Sequence, residues 1–211
     1  MRKIAFVALA ALFISNSAAA STLTFDELRD ARFGRPIGDG YQGFNWSNFN
    51  VLEGALLPLS GYAAGMVSAP NVAFNGFGTP ASLSVSADPF FPMTDFTLTS
   101  GDFTGAWNDG LSITVQGFNG ATMLHSVTFV VSSTAPTLVT FNWANLTEVT
   151  FSSSGGTRNP SYLGDGTNFA LDNLVVNGPN PMPEPASLLL LGTGLVATVT
   201  RFRRRRSARN V

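Results

Sequence analysis

From Ser21 to Val176 apolar and polar residues alternate over short runs rich in Phe, Val, Thr and Leu, broken by Gly, Asn, Pro and Ser. A period of two sends successive side chains to opposite faces, the mark of half-buried strands. The pattern predicts strands at 23–28, 43–52, 66–74, 81–86, 96–107, 111–118, 124–131, 137–143, 148–153 and 169–176. The stretch LSITVQGFNGATMLHSVTFVV is the clearest hairpin. Leu111, Ile113, Val115 and Gly117 share one face, Ser112, Thr114 and Gln116 share the other, and FNGAT supplies the turn. About ten such strands predict an all-β domain over 21–178, an antiparallel β-sandwich with jelly-roll-like connections.

Both ends depart from this pattern. Residues 1–20 read as a signal peptide, with Arg2 and Lys3 in front of an apolar run and small residues at the end. Signal peptidase is expected to use Ala18 and Ala20 as the small positions and to leave Ser21 first. Residues 179–185, PNPMPEP, form a Pro-rich linker unsuited to a packed strand. Residues 186–202 follow as a short transmembrane helix and 203–211 as a basic cytoplasmic tail. The apolar stretch 186–200 would span about 22 Å as a helix, against a hydrocarbon core of about 30 Å. Arg201, Arg203, Arg204, Arg205 and Arg206 would stop transfer and stay inside.

Charge changes the picture, because the near-neutral total sums three unlike segments. Residues 21–185 carry all 13 acidic side chains and four basic ones, Arg29, Arg32, Arg35 and Arg158, for a net charge of -9. An acidic body argues against nucleic acid as a partner, since neutralising phosphates needs a basic surface. The absence of cysteine removes disulfides, thiolate metal sites and a cysteine nucleophile. The polar, Gly-rich stretch 152–168 reads as a mobile excursion at one end of the sandwich.

The tail PEP followed by ASLLLLGTGLVATVTRFRRRR closely resembles the PEP-CTERM protein-sorting signal of Gram-negative bacteria. The same region is also known as an ice-binding protein C-terminal domain, a name that implies no ice binding. The resemblance implies that Pro183, Glu184 and Pro185 are recognised by an exosortase, a membrane-embedded cysteine transpeptidase. It implies an inner-membrane-anchored precursor that is cut and passed to the cell surface or an exopolysaccharide matrix. The body, through LTFDEL, GYQGFNWSNFNV, TGAWNDGLSITVQGF and NFALDNLVV, looks like the β-domains that often precede this tail.

Candidate chemistry is sparse. Asp26 and Glu27 in LTFDEL and Asp172 in FALDNLVV place carboxylates in the first and last strands, and Asn173 adjoins them. In jelly-roll carbohydrate-binding modules, similar strands hold a structural calcium, which takes six to eight oxygen ligands. These residues are candidate ligands for one, against the alternative that they face water or cap turns. Trp46 and Trp107 are candidate platforms for sugar rings, against core packing, which the 18 phenylalanines already suggest. His125, the single histidine, shares a strand face with Val127, Phe129 and Val131 and reads as a sheet-edge residue rather than a base. Glu53 and Glu148 show no spacing that pairs them as glycosidase acids, and no nucleophile elbow, metalloprotease or phosphate-loop motif is present.

The expected protein is a non-enzymatic surface or biofilm-matrix component whose body binds polysaccharide. The alternatives are a secreted carbohydrate-active enzyme and a structural adhesin without a small ligand.

Overall fold

The computed structural model describes residues 20–86 and 94–177. The signal segment with Ala18, the Pro183-Glu184-Pro185 motif, the apolar stretch and the arginines after it lie outside the described residues. Among the described residues no helix is long and apolar enough to cross a membrane.

Fourteen strands are described: β1 Ala20–Leu23, β2 Arg35–Pro36, β3 Phe44–Ser47, β4 Phe49–Glu53, β5 Asn71–Asn75, β6 Ala81–Val85, β7 Phe96–Gly105, β8 Asn108–Asp109, β9 Leu111–Asn119, β10 Thr122–Val131, β11 Thr137–Leu146, β12 Glu148–Ser154, β13 Thr157–Arg158 and β14 Phe169–Asn177. One helical turn, α1 Gly61–Ala64, interrupts them. All pairings are antiparallel. The first sheet runs β11-β7-β14-β5-β4-β2 and the second β10-β9-β12-β6-β3, while β13 and β8 form a small ribbon. The two large sheets enclose a common core, so the domain is a β-sandwich.

The hairpin β9–β10 falls where the alternation places it, and Leu111, Ile113, Val115 and Gly117 are all buried. The core is dominated by aromatic rings. Phe103 lies between 5.1 and 6.2 Å, centroid to centroid, from Phe129, Phe141, Phe151 and Phe169.

Strand β14 is the closing piece of the first sheet. One edge pairs with β7 along its length. The other is shared between β5 at Ala170 and Leu171 and β1 at Leu174 to Asn177. Ala20 therefore sits opposite Asn177.

Four sequence expectations shift. The run predicted at 43–52 is two strands in different sheets, because Asn48 takes a left-handed turn (φ +55°) between β3 and β4. Asn is the non-glycine residue that tolerates this conformation most readily. The strand expected from 66 starts only at Asn71, and the first strand ends at Leu23, so Asp26 and Glu27 lie in a turn. The polar stretch after β12 is tied down rather than mobile. Tyr162 is buried with its hydroxyl donating to the Ser133 carbonyl at 2.7 Å, and Arg158 donates to the carbonyls of Gly164 and Tyr162.

Asp109 fastens the turn after β10, accepting from Ser133 N–H at 2.8 Å and from the Ser132 and Ser133 hydroxyls. The Ser133 N–H, followed by the Ser132 hydroxyl, holds its carboxyl below the usual range. A depressed folded pKa contributes stability above the unfolded value that is lost as pH falls through the folded one. Asp109→Asn is accordingly expected to flatten part of the acid-side fall in melting temperature, measured from neutral pH downward; an unchanged slope contradicts the assignment.

Candidate ligand-binding cleft

The outer face of the first sheet is where the fold departs from a plain sandwich. Alternation turns Phe49, Val51 and Ala73 into the core and leaves Asn50, Leu52, Val72 and Phe74 on the outside. Residues 54–70 fold over part of this face. The Ser60 hydroxyl caps α1 by accepting from Tyr62 N–H at 3.2 Å, and Gly61 packs so tightly on β7 that a Cβ there would collide with the Gly105 carbonyl. This close approach seats Tyr62 over a small second core of Leu52, Val72, Ala106 and Ala170. Burial pushes the Tyr62 phenol well above its ordinary pKa.

Beside α1 the face opens into a cleft of about 330 Å³ lined by Phe33, Gly34, Asn50, Tyr62, Phe74, Gly76, Phe77 and Asn168. Its two outer phenylalanines are almost wholly in solvent, Phe33 at 95% exposure and Phe77 at 97%. Phe33 rides on a turn fixed by Gly34 N–H to Ala31 C=O (3.0 Å), Glu53 N–H to Ala31 C=O (3.2 Å) and the Arg35 guanidinium to Arg29 C=O (2.7 Å). Phe77 sits at φ +54°, a left-handed conformation costing a non-glycine residue roughly 1–2 kcal/mol. Its turn is held by Asn48, whose carboxamide donates to Gly76 C=O, Thr79 Oγ1 and Pro80 C=O at 2.8 to 3.1 Å. Asn75 supports it from below, donating to Thr79 C=O and accepting from Phe169 N–H. The Gly76 Cα lies against the Asn48 and Asn50 side chains, leaving no room for a larger residue there.

The cleft offers aromatic faces and carboxamides, and among the described residues its lining includes no acid, base or histidine. Asn168 donates to Asn75 C=O at 2.7 Å, which fixes its orientation. Among the described residues, Asn50 makes no side-chain hydrogen bond. An adjoining hollow of about 140 Å³ is lined by Leu56, Leu57, Pro58, Leu59, Trp107 and Leu163. Trp107 meets Tyr62 edge-on, with centroids 5.4 Å apart, so one aromatic pair separates hollow from cleft.

The two tryptophan candidates divide. Trp46 is a correction: it is 7% exposed, packs edge-on against Phe25 and Phe49, and donates its indole N–H to Tyr41 C=O at 3.0 Å. Its place in β3, two residues after buried Phe44, turns it inward despite its polar neighbours. Trp107 is half-buried and borders the hollow.

The three carboxylates proposed for calcium do not converge. Asp172 is fully buried on the outer face and accepts from Val67 N–H (2.7 Å), Ser68 N–H (2.7 Å), Ser68 hydroxyl (3.0 Å) and Asn173 N–H (2.7 Å). Asp26 accepts from Asn71 N–H at 3.0 Å. Glu27 accepts from the Tyr41 hydroxyl and Gln42 carboxamide, both at 2.8 Å. Burial pushes Glu27 up, but its hydrogen bonds outweigh that and leave it below the ordinary range. Among the described residues no three His, Asp or Glu side chains gather closely enough to hold a metal. Asp172 and Asp26 instead fasten the two ends of the stretch 67–71, Glu27 fastens residues 41 and 42, and Asn173, next to Asp172, takes φ +46°. His125 stacks on Trp143 at 5.0 Å between the edge strands β10 and β11.

Phe33 and Phe77 were not among the sequence candidates. Their signal is local: each lies outside the alternation and beside glycine, in RFG and GFG.

The described residues thus make a two-sheet β-sandwich with an uncharged aromatic cleft on one outer face. Residues 183–206 match the PEP-CTERM protein-sorting motif, and the chain carries that motif at its C-terminus. The motif implies an exported protein, processed by an exosortase from a membrane-anchored precursor to a surface or extracellular form. The chain is similar in structure to a DUF4465 family protein from Bacteroides caccae, with 12% identity over 82% of this chain and 98% of that one at a TM-score of 0.45. A DUF4465 family protein from Bacteroides ovatus is similar at 9% identity, over 76% and 95% of the two chains, with a TM-score of 0.43. TmCBM61, solved in complex with β-1,4-galactotriose, is similar at 10% identity, over 66% and 94%, with a TM-score of 0.37. No curated protein matches the sequence.

Proposed function

We propose that the body of this exported protein binds a neutral polysaccharide at the cell surface or in the surrounding matrix, in the cleft between Phe33 and Phe77, and does not turn it over. The observation that carries this reading is the pair of exposed rings, 95% and 97% in solvent, bordering one cleft. Leaving a phenylalanine exposed forgoes roughly 1.5–3 kcal/mol of burial, and Phe77 adds backbone strain to that. Presentation to a ligand accounts for both. Aromatic faces suit the apolar C–H faces of sugar rings, and carboxamides suit their hydroxyls. Among the described residues the lining holds no carboxylate, which favours an uncharged glycan and supports binding over hydrolysis. Glu53 and Glu148 stand in β4 and β12, on different sheets.

The test is affinity electrophoresis of the purified full chain against a panel of neutral polysaccharides. Phe33→Ala and Phe77→Ala should each weaken binding about tenfold, or ~1.4 kcal/mol, with melting temperature preserved. Phe77→Gly should also raise stability by about 1 kcal/mol as the left-handed strain relaxes. Undiminished binding by the double variant, or no binding to any glycan, would sink the proposal. Sugar release abolished by changing one carboxylate would favour the enzyme reading instead.

A further inference from the structure

We propose that the glycan held in the cleft carries short O-acyl esters and that the hollow beside Trp107 receives one of them. This rests on the polysaccharide reading of the cleft and names the kind of polysaccharide. The hollow differs from the cleft in chemistry: among the described residues its lining is four leucines, a proline and an indole, whose N–H is the one polar side-chain group. A bare sugar ring entering it would strip water from several hydroxyls without replacing those hydrogen bonds. An acyl chain has the opposite need and gains by leaving water there.

Size and position fit the same occupant. At about 30 Å³ for each water-sized unit, the 140 Å³ volume has room for the three to five heavy atoms of an acetyl to butyryl group. Tyr62 lines the cleft and Trp107 the hollow, with ring centroids 5.4 Å apart; a short acyl chain does not cross two rings, so the ester that fits is one on the sugar unit next to the unit in the cleft. Leu163, 83% exposed, stands at the mouth, and Leu56, Leu57 and Leu59 are also exposed. Among the described residues no charged side chain lines the hollow, which suits a neutral ester, while the Arg32 guanidinium lies 6.0 Å from the Phe33 ring centroid at the rim of the cleft.

The experiment compares naturally O-acetylated neutral polysaccharides with the same samples after mild alkaline deacetylation, using affinity electrophoresis of the purified full chain. The acetylated form should bind about tenfold tighter, and Leu163→Ser should erase that advantage while leaving binding to the deacetylated form as it was. Because Leu163 is so exposed, the variant is expected to melt as the parent does, and Leu57→Ser gives a second readout on the same wall. Equal binding of both forms by the parent chain overturns this proposal and leaves the cleft reading standing. No binding of either form overturns both. A preference that survives Leu163→Ser combined with Leu57→Ser overturns the hollow's role. A dimer in sedimentation that Leu163→Ser dissociates assigns the patch to a second copy and likewise overturns it.

Discussion

Phe103→Ala is expected to lower the unfolding free energy by roughly 3–5 kcal/mol. Phe103 is completely buried in β7, at the point where the two sheets share aromatic rings. Removing it opens a void next to Phe129, Phe141, Phe151 and Phe169, which belong to four different strands or their ends. A gap bordered by rigid rings on several strands cannot close by moving one of them, so the upper part of that range applies. Urea denaturation of parent and variant would measure the change, and a loss below about 1 kcal/mol would contradict the packing. The contrast with Phe33→Ala, expected to leave stability nearly unaltered, is the sharper check, because identical chemistry gives opposite results at two places.

The second large effect is expected at Asp172. Asp172→Ala removes one acceptor group from four donors, of which the Val67 and Ser68 amides and the Ser68 hydroxyl belong to the cover over the outer face. Each donor left without a partner costs about 1–3 kcal/mol if buried, so a total loss near 3 kcal/mol is expected, with some donors recovering water. Loosening should spread back along the segment that follows α1 and so to the seat of Tyr62, and hydrogen exchange at Val67 and Ser68 should rise before global unfolding. Unaltered protection of those two amides would contradict this role. The pH dependence follows a separate sign. Burial holds the Asp172 carboxyl above its ordinary range, and the Ser68 and Asn173 amides counter this only in part. The folded protein then binds this proton more tightly than the unfolded chain, so stability falls as pH rises from the ordinary carboxylate value through the folded one. Asp102, directly across in β7 and also raised by burial, adds to the same slope.

Several of these features are legible in the amino-acid sequence alone. Strand alternation locates β9, β10 and β12 to within a residue or two, because each has one face against the core and the period of two states that directly, while β14, buried on both faces at its start, shows as a short apolar run. The C-terminal motif is legible for a different reason: its proline pair, apolar stretch and arginines are contiguous. The outer face is not legible. Asp172 stands out in an apolar strand, but its partners Val67 and Ser68 lie about a hundred residues earlier, and no local rule joins them. Trp46 looks exposed from its polar neighbours, yet register, not neighbours, decides which way a strand residue points. Phe33 and Phe77 are absorbed into a general expectation that phenylalanines pack inside, although glycine beside each and the lack of alternation around them mark turns.

The placement of β14 bears on how such a chain must be handled in export. The strand that joins β7 to β5 and receives β1 is the last of the described strands, so a chain that has not yet delivered it cannot close its first sheet. It has to be kept unpaired, and away from other exposed edges, until Asn177 has crossed. Without that strand the facing edges of β7 and β5 stay open to pairing with other chains, so a chain cut short before Phe169 should aggregate instead of folding into a smaller sandwich.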